Sequence, residues 1–344
     1  ASDGAEITAN QDVQITSNIS SLLVSGGIAA SVGGMTAGVG ATLLVNVIER
    51  EAKIALGQTE IIAHNGDILI QAQGEDTSVI LGIAAGVSPQ GAGIAGTIPV
   101  TVGQSTTNVN VGSGSGLDAY DYIGILADLN SGYYLFAGAL GAGGNAIGAT
   151  IGTTVISNHV NAIVGAGTTL IAHCTEKDFG KSGISTGIHQ SRYNRRRGVT
   201  VAANGQETIV MAGVSGAAGT QSFAAAGTIS TLVVTNQVKA ELGEGVTVTV
   251  GSETLTDEAG DLTVDADDDT HIFLFAGALA VSTSTGAGAT IVAMVINKQV
   301  EALAEKLGTV TVNGNVTVNA QSKDTVVLLA LAFAGGGNMG IAGD

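Results

Sequence analysis

The residue pattern predicts an all-β fold, a parallel β-solenoid made of tandem repeats of about 55 residues. Three observations lead there. An alternating segment of the form apolar, x, apolar, x, small recurs six times, with first residues Val13, Ile68, Ile123, Val199, Leu262 and Val316, in steps of 55, 55, 76, 63 and 54 residues. The stretch from Leu135 to Leu140 returns letter for letter from Leu274 to Leu279, and its spacing of 139 equals that between Ile123 and Leu262. Finally, 52 glycines with 3% aromatic residues and no tryptophan cannot fill a wide core at native density, so the interior must be narrow.

Within a unit the first element is the alternating strand, typified by Val199, Val201 and Ala203. Period-two alternation rich in Val, Ile and Thr reads as strand. A Gly/Ala-rich middle follows, suited to a thin section where backbones approach closely. A β-branched run then leads to an Asn, at Asn46, Asn158, Asn236 and Asn297, with Thr101 in that place in the second unit. These asparagines are expected at turns or in an internal ladder that satisfies backbone groups. The last element alternates again, as from Val160 to Gly165. A helical alternative exists for Val45–Leu56 and Val295–Leu307, but the equivalent segments elsewhere are β-branched, which favours strand. Three turns of chain per unit, about 18 residues each, would build a rod roughly 90 Å long.

The array runs unbroken over 1–344, with a loop insertion at about 173–198 and a smaller polar excursion near Gly251–Gly260. Gly4–Asp12 matches Gly57–Asp67, and Gly335–Asp344 corresponds to a middle segment. Neither reads as a cap, and uncapped strand edges invite stacking. The expectation is a fragment of a longer chain, or a filament subunit that stacks end to end on further copies.

With 12 Lys+Arg against 29 Asp+Glu, the net charge of −17 argues against nucleic acid and anionic lipid as partners. The uncharged stretches Val79–Asn108 and Ile272–Asn297 are long enough to span a bilayer. Glycine, hydroxyl residues and Pro89 and Pro99 interrupt them, and no basic cluster or aromatic belt flanks them, so no transmembrane helix is expected. The single Cys174 excludes an intrachain disulfide framework.

Candidate sites are few. Asp265, Asp267 and Asp269 supply hard oxygen ligands of the kind calcium prefers, on the solvent face opposite Leu262 and Val264, but without a glycine-bearing calcium loop. A solvated acidic turn is the plainer reading. Arg192, Arg195, Arg196 and Arg197, with Tyr193, form the one basic cluster, able to hold an anionic ligand such as a sulfated glycan. His173, Cys174 and His189 fit no zinc spacing. The glycine strings Gly82–Gly96 and Gly138–Gly148 lack the Lys-Ser/Thr of a phosphate loop. No catalytic residue and no cofactor is assigned.

These features together, namely the Val199-type strands, the Gly/Ala middle from Leu135 to Gly148, the run into Asn158 and the stretch Arg196–Val199, resemble the repeats of very large leukotoxin-like filamentous adhesins, a family architecturally related to filamentous haemagglutinins. The resemblance implies an extended β-helical stalk that is exported, displayed at the bacterial surface or released, and bound to host-cell or surface ligands. Two other classes stay open. One is a self-assembling extracellular filament subunit. The other is a β-helical polysaccharide-active enzyme, which would need paired carboxylates along a groove.

Overall fold

The structure is a computed structural model that describes residues 4–174, 197–251 and 259–344. Among them every regular element is a strand and every pairing is parallel. Short strands β1 (Ala5–Ala9), β4 (Thr59–Ala63), β6 (Gly116–Ala119), β8 (Thr169–Ala172), β10 (Thr247–Val250) and β13 (Val310–Val312) form one sheet in that order. The second sheet runs in the order β14 (Val316–Gly336), β11 (Asp261–Ser282), β9 (Gly198–Leu242), β7 (Tyr122–Val164), β5 (Ile68–Val111) and β2 (Val13–Val32). Off that path, β3 (Ala37–Ala55) pairs β5, while β12 (Thr285–Ala304) pairs β9 and β15 (Met339–Gly343). Long parallel strands in parallel sheets are compatible with a β-helix or solenoid.

Hydrogen-bond register follows the sequence landmarks. Val13 pairs Ile68, Ile68 pairs Ile123, Ile123 pairs Val199, Val199 pairs Leu262, and Leu262 pairs Val316. Both candidate helical stretches lie in strands, β3 and β12. The insertion at about 173–198 falls largely on 175–196 and the excursion near Gly251–Gly260 on 252–258, both outside the described residues.

One expectation is overturned. A 55-residue interval does not hold three turns of chain, because the neighbour of Val13 across the sheet is Ile68 itself. Each interval therefore advances the stack by one strand spacing of about 4.8 Å, and the six tiers rise only about 25 Å instead of roughly 90 Å. The missing height lies sideways. Chain that was expected to make extra turns runs outward as one long arm, reverses, and returns as another.

The reversals occur at the register shifts Ser88/Ala92 and Gly143/Asn145, and between β2 and β3, β11 and β12, and β14 and β15. Near the base of the arms, the short strand closes a wide body filled by Ile, Val and Leu, among them Ile70, Ile125, Val201, Val111 and Leu117. Beyond the body the arms lie directly against each other as a two-ply fin. Its filling thins outward, from Ile80, Leu135, Met211 and Leu232 at the root to Ala84, Ala95 and Ala139 and then to glycine. A methyl group placed on Gly93 falls 2.0 Å from the Ala142 carbonyl oxygen, and one on Gly148 falls 2.1 Å from that of Gly216. Backbone packs on backbone there, as the Gly/Ala-rich middle anticipates.

Threonines fasten the two plies. Thr42 donates its hydroxyl to the Ile83 carbonyl at 2.7 Å, Thr97 to Gly138 at 2.6 Å, Thr150 to Val214 at 2.9 Å, Thr228 to Gly277 at 2.6 Å and Thr290 to Leu331 at 3.0 Å. A hydroxyl is short enough to reach a carbonyl where the arms are this close, whereas nearer the body the buried hydroxyls of Ser78, Thr101 and Thr154 have no hydrogen-bond partner.

Candidate functional site

Between body and fin the inward positions change from apolar to polar, and two columns of side chains face each other. On the outgoing arms the register aligns Ser21, Asp76, Ser131, Glu207 and Thr270. On the returning arms it aligns Arg50, Ser105, Asn158, Asn236 and Lys298. Asp76, Ser131, Asn158, Glu207, Asn236 and Thr270 are all buried. Such groups persist inside a protein only when bonded to one another.

Their bonds run both across and along the seam. Arg50 lies 3.3 Å from Asp76, which also accepts the Ser105 hydroxyl at 2.7 Å. Glu207 accepts the Asn158 amide at 2.6 Å, the Thr270 hydroxyl at 3.0 Å and the Asn236 amide. Asp268, wholly buried, is bridged by the Lys298 ammonium, which also meets Asp324 and donates to Thr270 at 2.6 Å. Burial lifts the Glu207 carboxyl from 4.5 to about 7, helped by the charge of Asp268 and opposed by the two asparagine amides. Burial alone would lower the Lys298 ammonium, but its bonds to Asp268 and Asp324 outweigh that and raise it. The chemistry of the seam is a set of interlocked ladders between tiers, in which Arg50 and Lys298 pair with Asp76, Asp268 and Asp324, Glu207 is held by neutral donors, and Arg50 Nη1, Asn158 Oδ1 and Asn236 Oδ1 are buried without a hydrogen-bond partner.

The four landmark asparagines do not make one ladder. Asn158 and Asn236 pair in register and sit in the seam. Asn46 belongs to a different column, with Thr101, Thr154 and Leu232, and Asn297 aligns with Thr235 and Ser157 on the outward face. The place opposite Asn236 is taken by Lys298. Aligning the β-branched runs by eye shifts the register by one residue at Asn297 and by four at Asn46, and one residue is enough to change face.

Asp265, Asp267 and Asp269 do share the parity opposite Val264, yet Asp265 is buried, accepting the Asn319 amide at 2.8 Å. Asp269 is half-buried, 3.4 Å from His271 and 3.7 Å from Lys323. Among the described residues no group of three or more His, Cys, Asp or Glu is placed to hold a metal ion. Arg192, Arg195, Arg196, Tyr193 and His189 lie outside the described residues. Arg197 differs from a solvated loop residue: it is buried, with its guanidinium 3.5 Å from Asp121. Cys174 is buried too, and burial with the nearby Asp121 charge pushes its thiol up to about 12, far from a reactive thiolate. His173 pairs with Asp118 at 2.9 Å at the surface.

On the outside of the fin the side chains are apolar on both plies. Leu81, Ile83, Phe136, Leu140, Val214 and Leu279 stand outward on the outgoing arms, and Ile98, Val102, Ile151 and Ile291 on the returning ones. These were legible: alternation carried on from Ile123 puts Leu135 inside and Phe136 and Leu140 outside. The same extension from Ile68 and Val199 puts Asp76 and Glu207 inside. No helix among the described residues is long and apolar enough to cross a membrane. No family model, no curated protein and no solved structure matches the chain.

Proposed function

We propose that the chain is a tandem-repeat parallel β-solenoid serving as a structural and adhesive section of a large secreted or surface-displayed bacterial protein, of the leukotoxin-like filamentous adhesin kind, without catalytic activity. The observation that carries this reading is the unbroken parallel register through all six landmarks, from Val13 to Val316. A body of that kind lengthens by adding tiers, and every added tier presents the same columns of side chains again. Repeated weak contacts of one sort along a surface sum to firm attachment. Adhesion is tested by incubating fluorescently labelled chain with animal cells and with abiotic surfaces, and reading retained label against concentration. Saturable retention, competed by unlabelled chain, is expected on the cells, and its absence from every surface overturns the adhesive role.

A second reading, an end-to-end filament subunit, draws on the outermost strands β2 and β14, each of which has a sheet neighbour on one side only among the described residues. Electron microscopy separates the two. Isolated short particles favour the adhesive section, and long unbranched fibres of stacked copies favour the filament.

A further inference from the structure

The fin carries no charge on either ply. Val79–Val102, Tyr134–Val155, Val210–Val233 and Phe273–Val295 contain no Asp, Glu, Lys or Arg, although the chain as a whole stands at −17. Its outward residues on the outgoing arms are apolar in successive tiers, with Leu140 and Leu279 each about half exposed, at 51% and 52%. From Val79 to Val87 the band is about 30 Å long, and six strands make it about 29 Å wide, a footprint on the order of 850 Å². Monomeric proteins rarely leave so large an apolar patch to water. It is about the area that one partner contributes to a standard stable interface.

The relief of this face is specific. In register, Phe136, Ala212 and Phe275 form one column, Gly138, Val214 and Gly277 the next, and Leu140, Gly216 and Leu279 the third. Large residues stand at the four corners, small ones at the four edges, and Val214 at the centre. A methyl group added to Gly138 would have only the Val214 carbonyl oxygen, at 4.0 Å, for a neighbour, so the notch beside Phe136 is open, while Leu140 leans over Gly216 at 3.0 Å and the Phe275 ring over Gly277 at 3.4 Å. A checkerboard of knobs and notches fits a copy of itself turned about a two-fold axis, as an isologous interface requires.

We propose that this outer face of the outgoing arms is a self-association surface, covered by the same face of a second copy of the chain. Packing sheet on sheet, the two faces meet about 10 Å apart with the corners of one over the notches of the other. The absence of charge from the fin lets two strongly acidic chains approach without setting like charges in contact. The interior of the fin gives a second motive, because Gly and Ala bury little apolar area between the plies, and an outer layer supplies what the inner one lacks. A lipid surface fits less well, since among the described residues Lys323 is the one Lys or Arg on the outer face next to the band, and it is paired with Asp269 and outnumbered there by Glu75, Asp267 and Asp269. The proposal does not rest on the adhesive role.

Sedimentation velocity of the chain from submicromolar to high micromolar concentration is the test. A monomer–dimer equilibrium is expected, made about tenfold or more weaker by Leu140→Asp and by Leu279→Asp. Ile151→Asp, on the outer face of the returning ply, leaves it unchanged, and circular dichroism verifies that each variant stays folded. Because an aspartate could still disturb the fold, Val214→Cys serves as an independent arm. A bismaleimide with a spacer of about 10 Å, matching the distance between packed sheets, links two copies through this central position, whereas buried Cys174 in the parent chain does not react. A monomer at every concentration with no Val214→Cys crosslink overturns the proposal. So does a loss of association caused equally by Ile151→Asp, or a monomer that floats with phosphatidylcholine vesicles in a manner abolished by Leu140→Asp.

Discussion

The body and the fin are built from the same two arms, yet they solve the packing problem in opposite ways. In the body, three strands per tier enclose a space that side chains must fill, and Ile70, Ile125 and Val201 fill it. In the outer part of the fin, two arms leave no space at all, and the residue that fits is the one without a side chain. Removing atoms damages the first region, and adding atoms damages the second. The polar seam lies where one regime gives way to the other, too wide for backbone contact and lined by groups that hold each other at a distance.

That contrast is open to direct attack. The largest effect is expected in the body, where Ile125→Ala leaves a void among fully buried neighbours and should cost about 4 kcal/mol, read as a shift in urea midpoint. Gly93→Val makes the reverse change in the fin. Its new methyls meet the Ala142 carbonyl, and the plies must part, at about 2–3 kcal/mol on the same measurement. A midpoint equal to that of the parent would mean that the plies are not in backbone contact. A third effect, read in pH, sharpens the boundary between the regions. Glu207 binds its proton more tightly folded than unfolded, since its folded value is about 7 against 4.5. Its contribution to stability is therefore complete below about pH 4.5 and is lost as pH rises through 7. Thermal unfolding from pH 4.5 to 8 should show the parent losing stability over that range relative to Glu207→Gln, which has no proton to release.

Much of this was legible in the chain, and what was not has a physical reason. Landmarks at Val13, Ile68, Ile123, Val199, Leu262 and Val316 coincide with the hydrogen-bond register because an alternating strand with one buried face tolerates no slip. Extending the alternation also sorts the arms into inner and outer residues, which is how Glu207 and Phe136 declare their sides. The number of turns per interval is not written in alternation, because an arm that runs straight and one that bends have the same period. Reversals at residues such as Gly143 and Gly144 resemble every other glycine in a chain with 52 of them. The asparagines mislead for a related reason: a β-branched run followed by Asn occurs on either parity, and only pairing tells Asn158 from Asn297. Burial of Asp265 escapes notice because it depends on neighbours far along the chain, such as Asn319.

The five threonine-to-carbonyl bonds between the plies share one direction along the chain. Thr42 reaches the carbonyl of Ile83, Thr97 that of Gly138 and Thr228 that of Gly277, so each donor on a returning arm bonds an outgoing arm that comes later in the chain. A polypeptide folding from its N-terminal side thus finishes each tier with hydroxyls already aimed at residues still to arrive. Beside them stands an open strand edge in the matching register. The two ends of the stack therefore differ in kind, one side of each tier offering hydroxyls and the other carbonyls.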